Sequence, residues 1–130
     1  MAGYSARSLV DKLGIKPGLT VYVDGGPAHV GELLDGATYR TRLPRRIDLT
    51  LLFVTEEARL RRRLPVVLER TTADGTIWVC WPKKSSGVPT EVDETIVRAT
   101  GLNAGVVDVK VAAIDETWSG LKFVRRLSDR

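Results

Sequence analysis

Lys83-Lys84-Ser85-Ser86-Gly87 gathers two ammonium groups, two hydroxyls and a glycine in one short string. Groups of this kind suit a phosphate or a carboxylate, whose oxygens accept several hydrogen bonds while the ammonium groups balance the charge. The string is not a Walker A loop, because no Gly-x-x-x-x-Gly precedes the lysine. A polar surface loop whose serines bond their own backbone explains it as well as an anion site does. Asp115, Trp118 and Ser119 form a second group, an acid, an aromatic and a hydroxyl in one turn. Gly25 and Gly26 form a third, where the lack of side chains lets the backbone approach a ligand closely.

Other chemistries find less support. His29 is the single histidine and stands three residues before Glu32. That spacing puts both on one side of a helical turn, but two ligands do not make a zinc site and no metal is expected. A general-base role for His29 stays open beside a plain polar one. The single cysteine, Cys80, lies in an apolar run where a buried, inert thiol is the usual outcome. The arginines at 40, 42, 45 and 46 and at 59, 61, 62 and 63 lack interleaved aromatics, so solvated faces are expected rather than a nucleic-acid surface.

The elements that must position these groups alternate between strand and helix. Ser5 caps a helix reaching Leu13, closed by Gly14. A strand over 19–24 runs into Gly25-Gly26-Pro27, and Pro27 suits the first turn of a helix ending at Leu34. A weaker strand over 37–42 precedes 47–54, whose nearly continuous apolar character suits an interior parallel strand. Leu60, Leu64, Val67 and Leu68 recur with helical spacing over 56–70, which places arginines 59, 61, 62, 63 and 70 mostly on the wet side, and Pro65 interrupts the pattern. Ala73-Asp74-Gly75 turns into a buried strand over 76–81. Thr90 and Asp93 open a helix that ends at Gly101. Extended runs at 106–114 and 121–127, joined across 115–120, read as a hairpin.

This order predicts a single α/β domain over 1–130: one mostly parallel sheet, helices on both faces, and a C-terminal hairpin that adds one antiparallel strand. In such sheets ligands sit beyond the carboxyl ends of the strands, so the three groups fall on one rim. Composition agrees, since 43% hydrophobic and 28% charged residues are globular values. The longest apolar runs are too short to span a bilayer, and no stretch of signal-peptide length precedes Asp11, so a cytoplasmic, membrane-free protein is expected. A net charge of +4 permits an acidic partner without requiring one.

Three strings are distinctive: Ser5 to Gly18, Trp81-Pro82-Lys83-Lys84-Ser85-Ser86-Gly87, and Ala113 to Arg126 with its Trp118-Ser119-Gly120-Leu121-Lys122-Phe123-Val124 centre. On these the chain resembles the uncharacterised bacterial family known as domain of unknown function 3052, which implies no activity. In element order it also resembles class I methyltransferases, through the glycine loop after strand one, the strand led by Asp48, the glycine turn before the next strand and the terminal hairpin. That resemblance implies a truncated, Rossmann-like methyltransferase domain and S-adenosylmethionine as the cofactor to consider. The cofactor loop of those enzymes is similar to Asp/Glu-x-Gly-x-Gly-x-Gly; here Asp24-Gly25-Gly26-Pro27-Ala28-His29-Val30-Gly31 departs from the spacing, and Tyr39, Arg40 and Arg42 stand where an acid would bind the cofactor ribose.

The expectation is therefore a non-catalytic, methyltransferase-like domain binding a small anionic ligand or a protein partner through Gly25, Gly26, Lys83, Lys84, Ser85, Ser86, Asp115, Trp118 and Ser119, with no cofactor. A minimal S-adenosylmethionine-dependent methyltransferase and a weak nucleic-acid binder are the alternatives.

Overall fold

The computed structural model describes residues 8–130. Ser8 starts α1, Leu9–Leu13: its hydroxyl accepts the Asp11 amide at 3.2 Å, and Gly14 ends the helix at φ +83° in the left-handed region. The expected cap, Ser5, lies outside the described residues. β1, Val21–Asp24, is buried along its whole length. Pro27 does not open the next helix. Its carbonyl instead accepts the Val30 amide at 3.0 Å in a turn, and α2 is confined to Val30–Leu33.

The weak strand expected over 37–42 reduces to one parallel bridge between Arg40 and Tyr22, closed by Arg40 N to Val21 O at 2.8 Å and Val23 N to Arg40 O at 2.9 Å. Thr38, Arg40, Thr41 and Arg42 are exposed, and Pro44 soon follows, so little apolar burial supports a longer strand. β2, Ile47–Phe53, is the expected interior strand, and the Asp48 carboxylate accepts the Thr20 amide at 2.8 Å. α3, Glu57–Arg70, continues through Pro65, which is exposed.

β3, Thr71–Pro82, begins five residues earlier than expected. Ala73-Asp74-Gly75 is not a turn before it but an irregularity within it, where the register against β2 jumps from Ile47↔Thr71 to Leu49↔Thr76. Asp93 caps α4, Glu94–Ala104, by accepting the Ile96 amide at 2.9 Å, and Gly105 at φ +102° closes it. Gly101 lies inside this helix, not at its end: a Cβ there would collide with the Phe123 ring, so glycine lets α4 approach the sheet closely. β4, Val106–Ala113, and β5, Trp118–Arg125, form the hairpin.

The sheet order is β1-β2-β3-β5-β4. β1, β2 and β3 are parallel, β5 is antiparallel to β3, and β4 returns to the first direction, so one strand of five is reversed. Leu60, Leu64 and Val67 of α3 and Val97 of α4 pack on one face with Leu52, Val79 and Phe123. Leu13 and Val30 pack on the other with Leu49, Leu51, Trp78 and Cys80. Trp78 is fully buried and its indole N–H donates to the Leu13 carbonyl at 3.1 Å, tying α1 to the sheet. Burying a Leu or Ile side chain contributes about 1.5–3 kcal/mol, and these two layers fix the rim where β1, β2 and β3 end and β5 begins.

Candidate functional site

At the end of β1 the Asp24 carboxylate receives two arginines from α3. Arg59 donates to one oxygen and Arg63, through Nε at 2.7 Å, to the other. Arg59 also donates to the Phe53 carbonyl at 2.6 Å, and Arg63 to the Tyr22 hydroxyl at 3.0 Å. Residues four apart on a helix share a face, so one turn of α3 presents both guanidinium groups to the same carboxylate. The Asp24 side chain is only 9% exposed, which makes these partners necessary for its charge. Burial and the neighbouring Asp24 charge push the Tyr22 phenol up, and the hydrogen bond to Asp24 raises the Arg63 guanidinium. Gly25 follows at φ +70°, and a Cβ on it would lie 2.8 Å from Arg59 Nη2 and 2.9 Å from the Phe53 oxygen. Gly26 packs as tightly, a Cβ there falling 2.7 Å from Val23.

The hairpin turn is organised by Asp115. One carboxylate oxygen accepts the amides of Thr117 at 2.8 Å and Trp118 at 2.7 Å; the other meets His29 Nε2 at 2.9 Å. Burial pushes the Asp115 carboxyl up, but the bonds from His29, Trp118 and Thr117 outweigh it and hold the group below its ordinary value. Lys83 faces the same turn, as the sequence suggests, yet its ammonium donates to the Asp115 main-chain oxygen at 2.7 Å and not to the carboxylate. The Lys83 amide bonds the Thr117 carbonyl at 2.8 Å. Trp118 stands edge-on to Phe53, ring centroids 5.0 Å apart, and so fastens the hairpin to the core.

Between the loop after β3 and the start of β5 lies a cleft of about 350 Å³, lined by Lys83, Lys84, Ser119, Thr95 and the carboxylate residues Asp93 and Glu94. The two carboxylates are engaged elsewhere, Asp93 on the Ile96 amide and Glu94 on Arg98 at 2.7 Å. Lys84 is exposed in a short 3₁₀ turn, Lys84–Ser86, and neither it nor the Ser119 hydroxyl has a side-chain partner among the described residues. Ser85 is exposed and outside the cleft lining. Ser86 is taken up locally, donating to the Lys83 carbonyl at 2.7 Å and accepting the Val88 amide at 3.2 Å. A larger groove of about 790 Å³ runs between α3 and α4, and its charged lining pair Glu57 and Arg61 is bonded to itself at 2.6 Å. Among the described residues no three His, Cys, Asp or Glu side chains gather to hold a metal.

Arg59, Arg63 and Arg70 correct the expectation of a wet arginine face. Arg61 and Arg62 are exposed, but Arg59 and Arg63 turn inward to Asp24, and Arg70 donates to the Pro44 carbonyl at 3.0 Å. The sequence holds one cue: 59 and 63 flank the buried stripe of Leu60 and Leu64, within reach of an acid that ends the neighbouring strand. Cys80 is buried, and burial pushes its thiol up, which leaves it an unreactive core group.

With this geometry in hand, solved structures offer the comparison. A SAM-dependent methyltransferase from Aquifex aeolicus superposes with a TM-score of 0.63 at 15% identity, covering 88% of this chain and 86% of that one. Magnesium protoporphyrin IX methyltransferase from Synechocystis PCC 6803, with bound SAM, gives 0.64 at 14% identity over 91% and 74%. The ribosomal protein L11 methylase of Lactobacillus delbrueckii subsp. bulgaricus gives 0.58 at 13% over 91% and 75%. The fold is methyltransferase-like. No family model matches the chain and no curated protein matches it, so the likeness to domain of unknown function 3052 rests on the quoted strings alone. Among the described residues no helix is long and apolar enough to cross a membrane.

Proposed function

We propose that this chain is a non-catalytic, methyltransferase-like domain that binds a small anionic ligand in the cleft between the loop after β3 and the start of β5. The observation that carries this reading is the convergence of Lys84, Lys83 and Ser119 from two separate strand ends on one cleft of about 350 Å³, with the Lys84 ammonium and the Ser119 hydroxyl unengaged by other side chains. A cleft of that size at the carboxyl ends of the strands accommodates a ligand of a few to a dozen heavy atoms. Lys84 supplies charge, Ser119 a hydrogen bond of adjustable direction, and Trp81 and Pro82 an apolar floor.

The residues after β1 do not suit S-adenosylmethionine. The glycine spacing differs from the cofactor loop of the methyltransferases, and the guanidinium of Arg59 lies against Gly25. The rival reading, a minimal S-adenosylmethionine-dependent methyltransferase, draws on the fold alone. The exposed Arg40, Arg42, Arg45 and Arg46 speak for a nucleic-acid surface only through their charge.

Calorimetric titration with inorganic phosphate tests the proposal. Saturable binding that weakens at least about tenfold in Lys84→Ala, with the variant melting where the wild type does, is the expected result. Wild-type protein that shows no saturable binding at millimolar phosphate, or a Lys84→Ala variant that binds as tightly, overturns it.

A further inference from the structure

We infer that Arg59 fills from within the chain the ligand place at the end of β1, so that the domain carries its own side chain where a methyltransferase-like fold would receive a cofactor. In the sequence a glycine pair after a first strand signals close approach of a ligand to the backbone. Here that close approach is made by the protein: an added Cβ at Gly25 would stand 2.8 Å from Arg59 Nη2 and 3.1 Å from its Cζ. The Phe53 oxygen, 2.9 Å from the same Cβ, and the φ of +70° also call for glycine there, and the space it leaves is taken by the Arg59 guanidinium.

The arginine is held from three sides. Its Nη1 donates to the Phe53 carbonyl at 2.6 Å, its Nη2 to Asp24, and its backbone belongs to the first turns of α3, whose Leu60 is fully buried. Arg63 donates to the second Asp24 oxygen at 2.7 Å and to the Tyr22 hydroxyl at 3.0 Å, so each carboxylate oxygen already accepts from a guanidinium. A cofactor entering over Gly25 would have to displace a guanidinium bound to a carboxylate that is 9% exposed, leaving that charge with one partner in place of two. Ala28 and Val30 stand where the Asp/Glu-x-Gly-x-Gly-x-Gly pattern has its second and third glycines.

This inference rests on the non-catalytic reading proposed above but concerns the opposite end of the rim, and its test is separate. The full chain is titrated calorimetrically with S-adenosylmethionine and with S-adenosylhomocysteine, and Arg59→Ala is melted with and without millimolar methylguanidinium, urea serving as the uncharged control. The expected results are no binding of either nucleoside at millimolar concentration, a loss of roughly 5–10 °C in the variant's Tm, and partial recovery of that loss with methylguanidinium but not urea. Micromolar binding of either nucleoside to the wild type, an unchanged Tm, or equal response to both additives overturns the inference. Should Arg59→Ala not fold, Arg59→Lys keeps a charge beside Asp24 while giving up the second hydrogen bond; a smaller Tm loss is expected, and an unchanged Tm overturns the inference. Nucleoside binding alongside Lys84-dependent phosphate binding would remove the Arg59 plug and keep the cleft. The expected Arg59 results without phosphate binding would remove the cleft and keep the plug.

Discussion

The ends of β1 and β3 lie on the same rim and are finished in opposite ways. At β1 each charged group has a partner inside the chain: Asp24 holds Arg59 and Arg63, Arg59 also bonds Phe53, and Arg63 also bonds Tyr22. At β3 the loop anchors itself through main-chain and Lys83 bonds to the hairpin turn, and leaves Lys84 and Ser119 facing open space. Position on the rim therefore does not by itself leave a polar group open, and a group already satisfied gains less from a new partner than an open one does.

Arg59→Ala should do the most damage, about 2–3 kcal/mol in urea unfolding, because it leaves a largely buried carboxylate with half its cationic support. A cost under about 0.5 kcal/mol would mean that the two rim ends differ little. Gly25→Ala should follow at about 1–2 kcal/mol, through the positive φ and the Cβ pressing on Arg59 and the Phe53 oxygen; a neutral effect would show that the guanidinium moves aside freely. Asp115→Ala should cost about 1–2 kcal/mol by releasing two loop amides and His29. The Asp115 carboxyl is held below its ordinary value, so its contribution is complete above about pH 4 and lost as pH falls through the folded value. Wild type and Asp115→Ala should converge in stability in acid, and a constant gap down to acid would contradict this. Lys84→Ala should change stability by less than about 0.5 kcal/mol, since the side chain is exposed, and its effect belongs to anion affinity.

Local signals made much of the fold legible. Gly14 closes α1, the apolar runs of β2 and β3 are interior strands, and the extended runs flanking Asp115 pair as a hairpin, because caps, burial and turns act within a few residues. The methyltransferase-like order followed from those elements. Long-range contacts escaped the reading. His29 meets Asp115 across 86 positions of sequence, and nothing near either residue signals the other. Arg59 and Arg63 carry the charge of a solvated face, and only the distant Asp24 turns them inward. Gly101 reads as a helix end because glycine ends helices, whereas the Phe123 ring against it gives glycine another purpose. Of the rim residues, Lys83, Lys84 and Ser119 line one cleft, Asp115 and Trp118 fasten the hairpin, Ser86 bonds its own loop, and Gly25 and Gly26 lie against Arg59 and Val23.

Amide chemical-shift mapping of the labelled chain, with inorganic phosphate and then S-adenosylhomocysteine, reads both ends of the rim at once. The contrast between them predicts phosphate-dependent shifts at Lys83, Lys84 and Ser119 with Gly25 and Gly26 unmoved, and no shifts with the nucleoside. Shifts centred on Gly25 and Gly26 with either addition would contradict it.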